Sequence, residues 1–342
     1  MTTTPSLDII IPVWNSPTET RACLVSILES STTARLIIIN NGCDRVTERM
    51  LEEFSDHLAD RAIYMTMERN IGFVPAVNRA LLRSDADWAL IVRPTGTVTA
   101  VGIDRFLAAT HREQAGMVTP HCSADFTVHP QLLKNSCTSI ETAEISFSAL
   151  ALSRVMREQI GLFDEELDGG LWCLRDYRHR SHAQGFRCYL APQVCFTGGQ
   201  GTVFGSEERR RRQVEAALAA FRTRWGKQQQ LSVYLPKSAD ERSLADTLQL
   251  LLAAARHGHR FVLFLHRRHY RTAVQHGAVC LHSGIILHRL GSLTPLRDLG
   301  RELERQRKNN PGLQFVCALD GASVPGCGAV ASAGILHHLA NP

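Results

Sequence analysis

Residues 8–13, Asp-Ile-Ile-Ile-Pro-Val, form a nearly unbroken apolar run instead of an alternating one. That pattern belongs to a strand covered on both faces, as in parallel sheets. Similar short runs follow at 36–39, 62–66 and 88–92, and helical spacing of apolar positions occupies 46–58 and 74–82. Ser16, Pro17 and Glu19 predict a capped helix start after the first strand, and Asn41-Gly42 predicts a tight turn after the second. Strand–helix alternation at this spacing predicts an α/β fold with a doubly wound, mainly parallel sheet. Such sheets bind ligands outside the carboxyl ends of their strands. Those ends fall at Trp14-Asn15, 40–44, 70–73 and 93–95.

Further along, 206–225 reads as one helix, with Val214, Leu218, Phe221 and Trp225 in a single stripe. The polar stretch 226–230 then marks a boundary. Strands are expected at 231–235, 261–265, 278–287 and 315–319, a helix at 296–307, and a capping box at Ser238 and Glu241. The expected division is a first domain over 1–228 and a second, smaller α/β domain over 229–342.

A chain of 342 residues, 44% hydrophobic and 21% charged, has ample material for two cores. No apolar segment approaches the length that spans a bilayer, and the amino terminus carries no export signal. The ten cysteines contain no C-x-x-C pair and read as reduced, mostly buried thiols, so a cytoplasmic location is expected. The formal charge of +5 demands no polyanionic partner. The run Arg209 to Arg212 has no interleaved aromatics and reads as a solvated helix face, so no nucleic-acid partner is expected. Gly198-Gly199-Gln200-Gly201 reads as a loop beside an acceptor site, and the histidines between 257 and 288 lack zinc-ligand spacing, although His266 and His269 could share a helix face.

Three strand-end segments, taken together, resemble glycosyltransferase family 2. Ile9 to Asn15 is similar to that family's "IIPVYN", Ile38 to Asp44 with Thr47 to "VVDNGSxDxT", and Asn70 to Leu81 to "NxGFAxAxNxGL". Downstream, 161–165 resembles "GGFDE", 184–186 "AGY" and 222–226 the closing "KWG" helix. The resemblance covers about residues 7 to 227. It implies a GT-A fold and binding of a nucleotide or nucleotide-sugar, of the UDP type, by Pro12, Val13, Trp14, Asn15, Asn40, Asn41, Gly42, Asn70, Gly72 and Asn78. Asn78 reads equally as a structural helix residue.

The family's chemistry needs a divalent metal on acids after the fourth strand and a carboxylate that deprotonates the acceptor. Here the fourth strand leads into Arg93-Pro94-Thr95, and the expected "ED" pair falls on Cys173-Leu174. The family's late histidine falls near Phe196-Thr197 and is absent, and the uracil-contacting aspartate is Asn40. No metal site and no cofactor are therefore predicted. Arg93 and Thr95 become the candidate diphosphate contacts, since a guanidinium forks onto phosphate oxygens. Arg93 reads equally as a surface salt-bridging residue. Asp176 is the candidate catalytic carboxylate, or else a partner for Arg180. Two functions follow: a family 2-like protein with lost or much reduced metal-dependent transfer that serves a partner or the second domain, or an active inverting, metal-independent transferase using Arg93 and Asp176 on an unidentified acceptor.

Overall fold

The computed structural model describes residues 5–30, 33–98, 102–122, 125–126, 128–134, 137–146, 148–197, 207–319 and 332–341. The chain forms two compact units, Met1–Val128 with Glu144–Gly226, and His129–Ala143 with Lys227–Pro342.

In chain order the elements are β1 (Leu7–Val13), α1 (Pro17–Ser30), β2 (Arg35–Asn41), α2 (Arg45–Leu58), β3 (Ala62–Met67), α3 (Phe73–Leu81), β4 (Trp88–Val92), β5 (Thr97–Val98), α4 (Gly102–Ala108) and β6 (Ala115–His121). The excursion into the second unit carries α5 (Pro130–Lys134) and β7 (Ile140–Glu141). The first unit resumes with β8 (Ala149–Ser153), α6 (Arg154–Ile160), α7 (Trp172–Ala183), β9 (Arg187–Thr197) and α8 (Glu207–Trp225). The second unit continues with β10 (Gln230–Tyr234), α9 (Glu241–Arg256), β11 (Arg260–Leu265), α10 (Arg267–Gln275), β12 (Ile285–Arg289), α11 (Pro295–Asn309), β13 (Gln314–Cys317) and α12 (Gly334–Ala340).

The first unit's sheet runs β3-β2-β1-β4-β8-β6-β9-β5. Its β3-β2-β1-β4 half is parallel throughout, while β8 runs antiparallel to both β4 and β6. The apolar run in β1 follows from this position. Ile9, Ile11 and Val13 enter one buried cluster with α1 and α2, and Ile10 enters the other with α3, α6 and α7. Alternate side chains leave opposite faces of a strand, so a strand with helices on both sides must be apolar at every position.

The second unit is a four-stranded parallel sheet, ordered β12-β11-β10-β13. Three expectations change here. The strand expected over 278–287 reduces to Ile285–Arg289, because 278–280 form a single helical turn and His282 donates no strand pairing to β11. The cap of α9 is Asp240, whose Oδ1 accepts Ser243 N at 2.7 Å, two residues beyond the expected Ser238. Cys137 and Cys280 are joined, whereas reduced thiols were expected; Cys23, Cys43, Cys122 and Cys173 are free thiols. The bond ties the excursion to the second unit, alongside Arg256 forking onto Glu141 (2.6 and 2.9 Å) and Thr142 Oγ1 with Ser283 Oγ (2.6 Å). Among the described residues no helix is long and apolar enough to cross a membrane.

Burial pushes the imidazoles of His121, His129, His266 and His288 below their ordinary value of 6.5. Between those lowered values and 6.5 the unfolded chain holds more protons than the native one, so stability rises with pH across that window. Thermal unfolding should shift to lower temperature as pH drops from 7.5 to 5.5. A midpoint that rises on acidification over that range would contradict the burial of these rings.

Candidate active site

The carboxyl edge of β1 and β2 is built by two loops that hold each other. At the end of β1, Asn15 and Ser16 both adopt left-handed backbone (φ 57° each). Such conformations cost non-glycine residues on the order of 1 kcal/mol each, and they gather at functional sites. Asn15 is fixed there by its partners: its N–H donates to Cys43 Sγ at 3.3 Å, and its Oδ1 accepts Asp44 N at 2.7 Å. Cys43 Sγ in turn donates to Val13 O at 3.3 Å. Burial raises the Cys43 thiol, so it acts as a neutral donor. Asp44 caps α2 by accepting Thr47 N at 2.8 Å. Pro12 and Val13 are buried, which leaves Trp14, Asn15 and Ser16 as the partly exposed surface of this loop.

Asn40 and Asn41 end β2 and are both buried. Asn40 Oδ1 accepts Cys43 N at 2.8 Å, while its Nδ2 donates to Glu48 Oε1 (3.0 Å) and Tyr64 OH (3.2 Å). Asn41 Nδ2 donates to Asn70 Oδ1 (3.2 Å) and Gly72 O (3.0 Å), and its Oδ1 accepts Ile71 N (3.1 Å). Asn70 Oδ1 also receives Gly72 N at 2.9 Å. Asn40 therefore closes its own turn, and Asn41 clamps the 70–72 loop to the strand. Gly42 (φ 70°) is required for this approach: a Cβ there would lie 2.5 Å from Asn70 N. Its freedom serves the packing of the 69–70 backbone against the turn.

Asn78 lies on α3, buried, at the opposite end of its own clamp. Its amide exchanges bonds with Phe163 (Nδ2 to O and Oδ1 from N, both 3.0 Å) and donates to Glu165 Oε1 at 3.0 Å. That is the structural reading of Asn78: it anchors the 161–165 turn.

Asp168 escaped sequence reasoning. Its carboxylate receives the backbone N–H groups of Phe73 and Val74 at the start of α3, and burial raises its carboxyl despite them. Gly72 (φ 100°) makes room for it, since a Cβ there would lie 2.5 Å from Asp168 Oδ2. The charge meets the positive end of the α3 dipole. The only sequence signal was an acid just before the Gly169-Gly170 pair, which no helix or strand pattern marks as facing α3.

At the end of β4, Arg93 is half-buried, with N–H donated to Ser148 O at 2.9 Å and its carbonyl accepting Cys23 Sγ at 3.7 Å. Burial lowers the guanidinium, and the charge of Asp125 opposes that shift. Thr95 Oγ1 is buried and has no hydrogen-bond partner among the described residues. A divalent metal of the Mg²⁺ or Mn²⁺ kind wants anionic oxygens. A guanidinium, a proline ring and a lone hydroxyl do not fit one, and among the described residues no group of three His, Cys, Asp or Glu is placed to hold one.

Asp176 is fully buried on α7. Its Oδ2 accepts Arg180 Nε at 2.9 Å; its Oδ1 accepts Trp225 Nε1 at 2.9 Å and Arg224 Nη1 at 3.4 Å. The carboxylate thus binds α8 to α7, with both of its oxygens taken by donors. Cys173 and Leu174, where the catalytic pair was sought, are buried in the core, and burial raises the Cys173 thiol beyond any role as base. Gly198 to Gly201 lies outside the described residues. His266 and His269 fall at the start of α10.

Residues 8–92 match the family model described as "Glycosyl transferase family 2". No curated protein matches the chain. Among solved structures, a mannosyltransferase from Pyrobaculum calidifontis in complex with GDP-Man and Mn²⁺ is similar at TM-score 0.51 and 17% identity, over 64% of this chain and 64% of that one. GalNAc-T7 with UDP, GalNAc and Mn²⁺ is similar at TM-score 0.50 and 12% identity, over 63% of this chain and 48% of that one. The chain therefore spans less than two thirds of either. With the strand order described above, these matches show a fold of the GT-A kind, within which residues 8–92 are similar to glycosyltransferase family 2.

Proposed function

We propose that the first unit binds a nucleotide or nucleotide-sugar, of the UDP type, along the carboxyl ends of β1 and β2, and that its metal-dependent transfer is lost or much reduced. The observation that carries this is the pairing of a built strand-end surface with Thr95 where the family's metal-binding acid belongs and Arg93 two residues before it. Trp14 and Asn15 stand on a loop held in costly left-handed backbone by Cys43 and Asp44. The ligands in the two similar structures, GDP-Man and UDP, support the ligand class.

In this reading the base and ribose lie against Pro12 to Asn15 and Asn40 to Gly42. Arg93 supplies charge to the diphosphate, with Thr95 beside it. A fixed guanidinium can bind two phosphate oxygens at once, which serves affinity without a metal. In this reading Asp176 does not take a proton from an acceptor, because its two oxygens are already held by three donors. The rival reading, an inverting metal-independent transferase, keeps Arg93 in the metal's role but needs another base.

Calorimetry with UDP in the presence of EDTA tests the reading. The expected result is binding whose affinity changes less than about twofold on adding Mg²⁺ and drops at least about tenfold in Arg93→Ala, the size of one charge-assisted contact. Binding that requires Mg²⁺, or that survives Arg93→Ala unchanged, would remove Arg93 from the diphosphate.

A further inference from the structure

The excursion at 129–143 has little regular structure of its own, only the five-residue α5 and the two-residue β7 among its described residues. It is fastened within the second unit at three places. Toward its amino end α5 packs on the helical turn at 278–280, and Gln131 Nε2 donates to Tyr270 OH at 3.4 Å. Toward its carboxyl end Arg256 forks onto Glu141, Ser283 N donates to Glu141 O at 2.8 Å, and Thr142 meets Ser283. Between these attachments Cys137 is bonded to Cys280.

The two sulfurs stand on unequal ground. Cys280 closes the turn at 278–280, whose Ala278 and Val279 are buried in the core with β11 and α9, so that side is fixed. Cys137 lies outside any helix or strand, next to the exposed Thr138. Breaking the bond therefore releases the excursion and leaves the turn in place. Segments with few elements and few bonds open locally at small cost. A covalent link between residues 143 apart in sequence restrains such a segment far more than one hydrogen bond does.

Both bonded cysteines are only half-buried. A disulfide so placed is open to attack by a small thiolate, and exposed disulfides are the labile, regulatory kind. Cys23, Cys43, Cys122 and Cys173 remain thiols, so the chain does not commit its cysteines wholesale to structural pairing.

We infer that Cys137 and Cys280 form a redox-reversible clasp, which holds the excursion on the second unit when oxidised and loosens it when reduced. The reductant is a dithiol. One of its thiolates attacks a sulfur of the pair and expels the other as a thiolate, leaving a mixed disulfide. The second thiol of the reductant then attacks that mixed disulfide at the reductant's own sulfur and expels the remaining cysteine. Two electrons and two protons pass to the protein, and the dithiol leaves as a cyclic disulfide.

The test is hydrogen exchange read by mass spectrometry on the full chain. The protein is compared oxidised, reduced with dithiothreitol, and reoxidised with glutathione disulfide. Exchange over 129–143 should be at least about tenfold faster after reduction, a lower bound on the constraint that one disulfide supplies. It should return on reoxidation, with β10 and β11 unchanged throughout. Cys137→Ser and Cys280→Ser should each show the fast exchange with or without reductant, and protection of β10 and β11 in the same spectra reports that they are folded. Equal exchange over 129–143 in oxidised and reduced protein would overturn the inference, because the other attachments would then suffice. Loss of protection across β10 and β11, on reduction or in both variants, would overturn it as well, since the bond would then staple the whole unit. Iodoacetamide labelling of both cysteines that prior treatment with glutathione disulfide fails to prevent would do the same.

Discussion

Asp176→Asn should destabilise the first unit by about 3 kcal/mol, within the range for breaking a buried, hydrogen-bonded ion pair. The wild-type carboxylate receives donors on both oxygens, from Arg180 on one and from Trp225 and Arg224 on the other. An asparagine can turn its carbonyl toward only one side, so whichever way it flips, an NH₂ group meets N–H donors. Arg180 keeps Ile160 O and Leu162 O as acceptors but loses its charge partner. For a unit of this size the expected loss is roughly 6–12 °C in thermal midpoint. UDP affinity should stay within about twofold of wild type. If the substitution instead abolished transfer while leaving the melting temperature in place, Asp176 would be a base after all.

Gly42→Ala should be comparably damaging, by a different route. The position has φ 70°, which disfavours any Cβ by about 1 kcal/mol or more. The added Cβ would also meet Asn70 N at 2.5 Å and Arg69 Cα at 2.6 Å, which are backbone atoms with little room to yield. Overpacking of this kind costs about 1–3 kcal/mol, for a total near 2–4 kcal/mol. Because Asn41 holds the 70–72 loop through Asn70, Ile71 and Gly72, displacing Arg69 and Asn70 disturbs the whole strand-end surface. UDP affinity should fall at least about tenfold. Gly161→Ala is the control: φ is 79° there, but no atom lies within 4 Å of the added Cβ, so only the conformational cost of about 1 kcal/mol remains. Equal melting temperatures for the two variants would show that the contact with 69–70 does not constrain the turn.

The parts of the fold that were legible in the sequence are those fixed by local chemistry. β1 reads as a buried strand because both of its faces are apolar, and α2 reads as a helix from the spacing of apolar positions over 46–58. The strand over 278–287 was overextended because buried apolar residues look alike in a strand and in a tight turn. Nothing in the hydrophobic pattern marks 129–143 as an excursion, since its attachments to Arg256, Cys280 and Ser283 lie more than a hundred residues away. At the site, sequence identified the strand ends but not the direction of each side chain. An amide at 40, 41 or 78 is as suited to clamping backbone as to meeting a nucleotide, and all three clamp. Asp168 was invisible because its partners, the N–H groups of Phe73 and Val74, are supplied by the fold and not by neighbouring residues.

The central claim is that the strand-end surface holds a nucleotide where a cation and a hydroxyl replace the metal's acids. A crystal structure of the full chain grown with UDP and Mn²⁺ tests it most directly. The expected result is UDP against Pro12 to Asn15 and Asn40 to Gly42, its diphosphate within hydrogen-bond reach of Arg93, and no metal coordinated by residues 93–95. UDP lying elsewhere, or an Mn²⁺ bridging its diphosphate to the end of β4, would contradict the account.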